Sequence, residues 1–422
     1  MKDEHIGGGA GAQAGVALAP ASIETRASWV VAFAAVAILA LAQGAPLTLV
    51  VGLSSIADAL GEGRSLPSLA TAFTSFGIGV GGVLCGWLAR RVGIRAVAIA
   101  GGVVVAAGLA LAARGTPWEL LIGMGLGVGV FGAGALNAPI VTYVTMWFDR
   151  RRGSALALVS SGQYIAGAIW PPVFERAIAG FGWQWTMTAY GIFAGAVILP
   201  LALVLLRPPP VLPTANLLGS VAGRAKVLGM APNAAHALIA FCSFLCCVPM
   251  AMPAAHLIAF CGDLGIRSST GAVMLSVLLF AAFLSRQFWG AVSDRIGGLW
   301  TVFLGSLAQV AAMAAFLATT DEAGLFLVAA AYGLGFAGII PAYVLAVRAL
   351  FPVGEASWRI PVLYLVSLSG MGFGAWLAGA IYDRAGYYGA AWMAGIVFNV
   401  LQLSIVATLL YRQAVAKAPS SS

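Results

Sequence analysis

Charge is what this sequence has least of. Only 9% of its 422 residues are Asp, Glu, Lys or Arg, against 61% apolar, too little polar surface to keep a soluble globule in water. Each of the 14 carboxylates falls in a tail or loop and none in the middle of an apolar run, which leaves no buried acid to carry a proton. Neither paired carboxylates nor a nucleophile-base arrangement is present, and no enzymatic activity is expected. The five cysteines, Cys85, Cys242, Cys246, Cys247 and Cys261, lie in or at the ends of apolar segments and lack the spaced pairs of a disulfide framework, so they read as small packing residues. No acidic or methionine cluster accompanies Cys242, Cys246 and Cys247, and neither a metal nor a cofactor is expected. Residues 1–28 have no apolar core followed by a cleavage site and read as a disordered cytoplasmic tail. The net charge of +8 sits in short connections between apolar runs, which argues against nucleic acid and for a bilayer.

Apolar length is what the sequence has in abundance. About 20 apolar residues in a helix cross a hydrocarbon core, because a helix satisfies its own backbone there. Such runs fall near 29–53, 68–89, 96–113, 118–146, 154–174 and 184–206, and again near 235–260, 269–291, 299–319, 323–348, 359–381 and 388–411. They are continuous and rich in Ala, Leu, Gly and Val, unlike the alternating strands of a barrel. The expected fold is an all-α membrane protein of twelve transmembrane helices. Its expected organisation is a six-helix bundle over 29–206, a Pro-rich cytoplasmic linker over 207–233, a second bundle over 234–412 and a tail over 413–422. With the amino terminus inside, sixteen of the twenty-two Lys and Arg residues fall on the cytoplasmic side, five opposite, and one, Arg286, within a span. Both termini are therefore expected in the cytoplasm. The glycine runs at 77–82 and 123–134 are not preceded by strands and read as close helix packing rather than phosphate loops.

Between the second and third spans of each half lies a tight, charged turn. The second half reads Gly290, Asp294, Arg295 and Gly297; the first reads Gly86, Arg91 and Gly93, with Arg90 where the second half has an acid. This G-x-x-x-D-R-x-G pattern and the six-plus-six plan resemble the major facilitator superfamily, whose halves rock about a midplane site. Shorter stretches resemble its monocarboxylate and oxalate transporter family: Trp147 and Phe148 before Arg150, Arg151, Arg152 and Gly153; Ser161 and Gly162; Gly182 and Trp183; PAAHL at 253–257; SRQFWG at 285–290; and 374–383. The resemblance implies the superfamily fold, a gating role for the two charged turns, and a small organic anion as substrate.

The candidate site follows from polar groups stranded in apolar spans. A guanidinium in mid-bilayer costs at least about 2.5–3.5 kcal/mol, so Arg286 requires a wet interior and a partner. A carboxylate is the natural one, because the planar fork matches its two oxygens. The resemblance assigns that contact to an arginine at this place in the eighth helix, and a cavity-lining histidine to the position of His256. Gln43, Asn137, Gln163 and Tyr164 are buried polar residues expected to turn inward, with Tyr343 and Tyr364 along the path. Asn137 and Gln163 stand where the oxalate carrier of the family has tyrosines.

The departures narrow the expectation. The lysine that follows a proline in the first helix of animal monocarboxylate carriers is Leu47 here, and the aspartate four residues before the arginine is Ala282. One fixed cation suggests a monoanion, moved alone or with a proton or counter-anion. The reading is a secondary or facilitative transporter, a monomer in the plasma (inner) membrane. Its rivals are a superfamily carrier for a non-carboxylate solute, such as an aromatic compound or drug, and a non-transporting sensor of the same fold.

Overall fold

The computed structural model describes residues 23–149, 151–207 and 226–417. Most of the expected amino-terminal tail and linker, and the end of the carboxy-terminal tail, lie outside them. Among the described residues twelve long helical units follow one another, each close to an apolar run: α1 (Arg26–Val51), α2 (Ser65–Val92), α3 (Ile94–Ala112), α4 (Pro117–Trp147), α5 (Arg152–Ser160 and Gly162–Phe181), α6 (Trp183–Leu205), α7 (Pro232–Asp263), α8 (Ser268–Ile296), α9 (Gly298–Ala318), α10 (Glu322–Leu350), α11 (Val353–Ala385) and α12 (Gly389–Lys417). Eleven are long and apolar enough to cross a membrane. The exception is α5, expected as one run over 154–174. It breaks at Ser161, whose hydroxyl donates back to the Ala157 carbonyl at 2.7 Å, and continues to Phe181, carrying Glu175 and Arg176 in its last turns.

Glycines set the local geometry where helices touch or turn. A side chain at Gly77 of α2 would meet the Gly125 carbonyl at 2.5 Å, and α4 runs as a wide π-helix over Gly123–Ala133 where it packs there. The two charged turns close through Gly93 and Gly297, with φ of +85° and +84°, a region that only glycine enters without strain. The first-half turn thus keeps the geometry of the second although Arg90 replaces the acid.

Helices of the first half pack chiefly on one another, α1 on α5 and α6, α2 on α4, α3 on α6. In the second half α7 packs on α11 and α12, α8 on α10, and α9 on α12. Two seams join the halves, α2 against α11 and α5 against α8, with a lighter contact of α1 on α7. The end of the bundle carrying the α2–α3 and α8–α9 turns is called the near end below. The opposite end, with the α7–α8 and α11–α12 turns, is the far end.

Candidate functional site

Both seams are zipped from the far end and stop at one depth. On α2 and α11, which run antiparallel, the Arg64 and Ser65 amides donate to Asp383 at 2.8 Å each. A side chain at Gly379 would stand 2.7 Å from the Ser68 hydroxyl, one at Gly372 2.7 Å from the Ala72 carbonyl, and one at Gly79 2.9 Å from Leu365. Beyond that level nothing lies within 4 Å of Gly86, and Val83, Trp87, Val362 and Tyr364 are exposed. The other seam behaves alike: Gly167 of α5 lies on Leu279 of α8, Arg286 meets Tyr164, and nothing lies within 4 Å of Gly290.

Arg286 stands where the zipper ends. Its neighbours in the SRQFWG stretch are used to hold α8 to α10: the Ser285 hydroxyl and Trp289 indole both donate to the Leu334 carbonyl, at 2.6 and 2.8 Å. Arg286 is half-buried, and its guanidinium carbon lies 5.5 Å from the centre of the Tyr164 ring across the seam. The Tyr164 phenol is within reach of the Gln163 amide and of Arg286, and Tyr364 lies near enough to act on it electrostatically. Stacking on one ring returns about 0.5–2 kcal/mol, less than the cost of a mid-membrane guanidinium. Among the described residues no carboxylate pairs with Arg286, so most of its donors remain for an occupant of the opening.

Register brings two further candidates to this depth. Gly162 backs onto Leu39 of α1, 3.0 Å for a side chain placed there, so Gln43 lies one turn on, past the start of the second α5 piece and within about a turn of Tyr164. Gly82 lies against Ala138 of α4, which sets Asn137 beside the end of the α2–α11 seam. Both amides are half-buried and without a protein partner among the described residues, a costly state unless water or a ligand reaches them.

Two candidates lie elsewhere. Tyr343 is buried within the second half, accepting from the Gln402 amide at 2.9 Å. His256 is fully enclosed toward the far end, its Nδ1 2.9 Å from the Tyr388 hydroxyl and its Nε2 2.8 Å from the Ala375 carbonyl. In the charged turns, Asp294 and Arg295 are exposed and unpaired among the described residues, as is Arg90, while Arg91 lies 3.9 Å over the ring of Trp87.

Sequence reasoning missed a cluster around His256. Arg64 makes a two-pronged ion pair with Asp263 at 2.6 and 2.7 Å, covers the ring of Tyr382 at 3.9 Å and donates to the Tyr388 hydroxyl at 3.1 Å. Burial works against the charged form of Arg64, but its bonds to Asp263 and Tyr388 raise its pKa above the ordinary arginine value. Burial likewise pushes the Tyr388 phenol up, so it stays a neutral donor. Arg359, at the start of the apolar run expected over 359–381, carries no signal of burial in its sequence context. It is almost fully buried, paired at 2.6 Å with Glu355 and held between Phe351 and Trp358.

The chain is 26% identical over 313 residues to the MFS transporter asaE of Aspergillus flavus, a match covering 72% of this chain and 68% of that protein. It is 25% identical over 358 residues to monocarboxylate transporter 13 of Rattus norvegicus, covering 82% and 79%. Its fold matches the crystal structure of a bacterial homologue of the human lysosomal transporter Spinster in an inward-facing, unoccupied conformation, with a TM-score of 0.70 at 15% identity over 92% of this chain and 99% of that one. A family model described as Major Facilitator Superfamily matches residues 32–255, more than half of the sequence. Twelve helices, two seams between halves and this match lead to one assignment: the chain is an integral membrane protein that belongs to the major facilitator superfamily of transporters.

Proposed function

We propose that this transporter carries a small organic monoanion by alternating access, with Arg286 gripping its carboxylate. The observation that carries the proposal is the guanidinium's position: at the depth where both seams end, half-buried, and without a carboxylate partner among the described residues. Tyr164, Gln163, Tyr364, Gln43 and Asn137 supply neutral hydrogen-bonding groups at that depth, enough to orient a small polar anion without a second fixed charge. The name of the rat relative, a monocarboxylate transporter, supports the same substrate class.

In this reading 29–206 and 234–412 rock as units about the Arg286 level, and the near end faces the cytoplasm with both termini, in the plasma (inner) membrane. His256 then belongs to the far-end closure, and Tyr343 to the packing of the second half. Occluding the empty site strands an unpaired guanidinium, whereas occluding the filled one encloses a neutralised pair. The return step is therefore faster with anion bound, and anion exchange outpaces net uptake.

Liposomes containing the purified protein, offered a panel of labelled carboxylates with and without a pH gradient, test the substrate class. At least one monocarboxylate is taken up by the parent and not by Arg286→Ala. Uptake of only neutral or aromatic solutes, indifferent to that substitution, would assign the protein to a different solute class.

A further inference from the structure

We propose that Arg64, Asp263 and Asp383 form a latch that holds the far end shut at rest, so that the near-end-open state dominates in the absence of substrate. The inference rests on the alternating-access reading above but not on which solute is carried.

Three observations converge on the latch. First, every member crosses between halves: Arg64 and Ser65 open α2 in the first half, and Asp263, Asp383 and Tyr388 end or precede helices of the second. Second, the contacts are of the strong kind. The Arg64–Asp263 pair is two-pronged, with side chains only 16% and 29% exposed, stacked on Tyr382 and braced by Tyr388, which His256 in turn holds in place. An isolated, fully exposed pair would hold nothing. A bidentate pair screened by aromatic rings does. Third, Asp383 takes both carboxylate oxygens to the Arg64 and Ser65 amides, which are free donors at the start of α2. The far-end-closed state therefore caps a helix of one half with a carboxylate from the other, and opening that end uncaps it.

Among the described residues the near end shows no ion pair between the halves like Arg64 with Asp263. There Arg90, Asp294 and Arg295 are exposed, Arg91 is occupied by Trp87 of its own helix, and none of them pairs across the halves among the described residues. The two ends are thus unequal, and the inequality sets the resting population.

Spin-label distances in liposomes without substrate test this independently of transport. One pair, Glu62→Cys with Thr320→Cys, spans the far end, and another, Val92→Cys with Ile296→Cys, spans the near end; the five native cysteines are buried. The parent shows a short far-end and a long near-end distance. Arg64→Ala and Asp383→Ala each raise the ratio of far-end-open to far-end-closed molecules about tenfold, and the conservative Arg64→Lys, which keeps charge but loses the fork, raises it less. The charge-swapped Arg64→Asp with Asp263→Arg returns it toward the parent value. Unchanged distances in the single variants, or a swap that restores nothing, would overturn the latch. Either result leaves the carboxylate assignment of Arg286 standing, just as failed carboxylate uptake leaves the latch standing.

Discussion

The far and near ends of this bundle are made of the same helices yet are held differently. At the far end backbone lies on backbone along α2 and α11, and charged groups pair across the gap, Arg64 with Asp263 and two amides with Asp383. At the near end the equivalent glycines, Gly86 and Gly290, have nothing within 4 Å, and the signature charges are exposed. A transporter needs both ends to close in turn, so the same kind of glycine serves two purposes. Where the seam is zipped, glycine permits the present contact; where it is open, glycine keeps room for a contact made in the other state.

That contrast can be broken by adding volume. Gly372→Leu drives a side chain into the Ala72 carbonyl, which as backbone cannot give way, so the variant loses about 1–3 kcal/mol or more of stability. A drop of several degrees in thermal midpoint, read in detergent, checks it. Gly86→Leu and Gly290→Leu meet no neighbour, keep the parent's thermal midpoint, and lower transport about tenfold by obstructing near-end closure. Equal stability losses at all three positions would erase the distinction between the ends.

The site can sharpen the same contrast without mutation. If the near-end-open carrier returns poorly when empty, unlabelled anion on the opposite side accelerates labelled uptake roughly fivefold, which corresponds to about 1 kcal/mol of the buried-charge cost. A counterflow assay in liposomes reads this directly, and equal rates with and without internal anion would contradict it. The smallest effect concerns the near-end turn. Arg90→Asp restores the acid that the second half has in Asp294 and shifts the population toward near-end closure by about two- to fivefold, the range of an exposed pair. The near-end spin-label pair measures it.

Much of this architecture was legible in the chain, for a physical reason. A helix must be about 20 apolar residues long to cross hydrocarbon, so run length alone marks elements. Runs expected at 184–206 and 299–319 coincide with Trp183–Leu205 and Gly298–Ala318 to within a residue. The break in α5 was invisible because the helix is interrupted at a single residue, Ser161, which leaves the apolar run's hydropathy unchanged. Arg286 and Tyr164 stood out because their types are costly in an apolar run, and the structure brings them together. The far-end latch did not stand out. Arg64 lies 199 positions from Asp263 and 319 from Asp383, and each reads singly as an ordinary charge in a turn. His256 carried a signal of type but none of depth: its ring is committed to Tyr388 and Ala375, partners that only the packing of α7 against α11 and α12 supplies.

The claim on which the functional reading depends is that the Arg286 charge is held for an anion, and one comparison tests it most directly. Binding of a transported monocarboxylate to the purified parent, Arg286→Lys and Arg286→Ala, measured by the thermal shift each ligand gives, should rank in that order, with the alanine variant folded at the parent's depth of signal but unresponsive to anion. The lysine variant should retain a weakened response, since it keeps the charge and loses the two-pronged geometry. Equal responses from all three proteins would show that the guanidinium is not where the carboxylate binds.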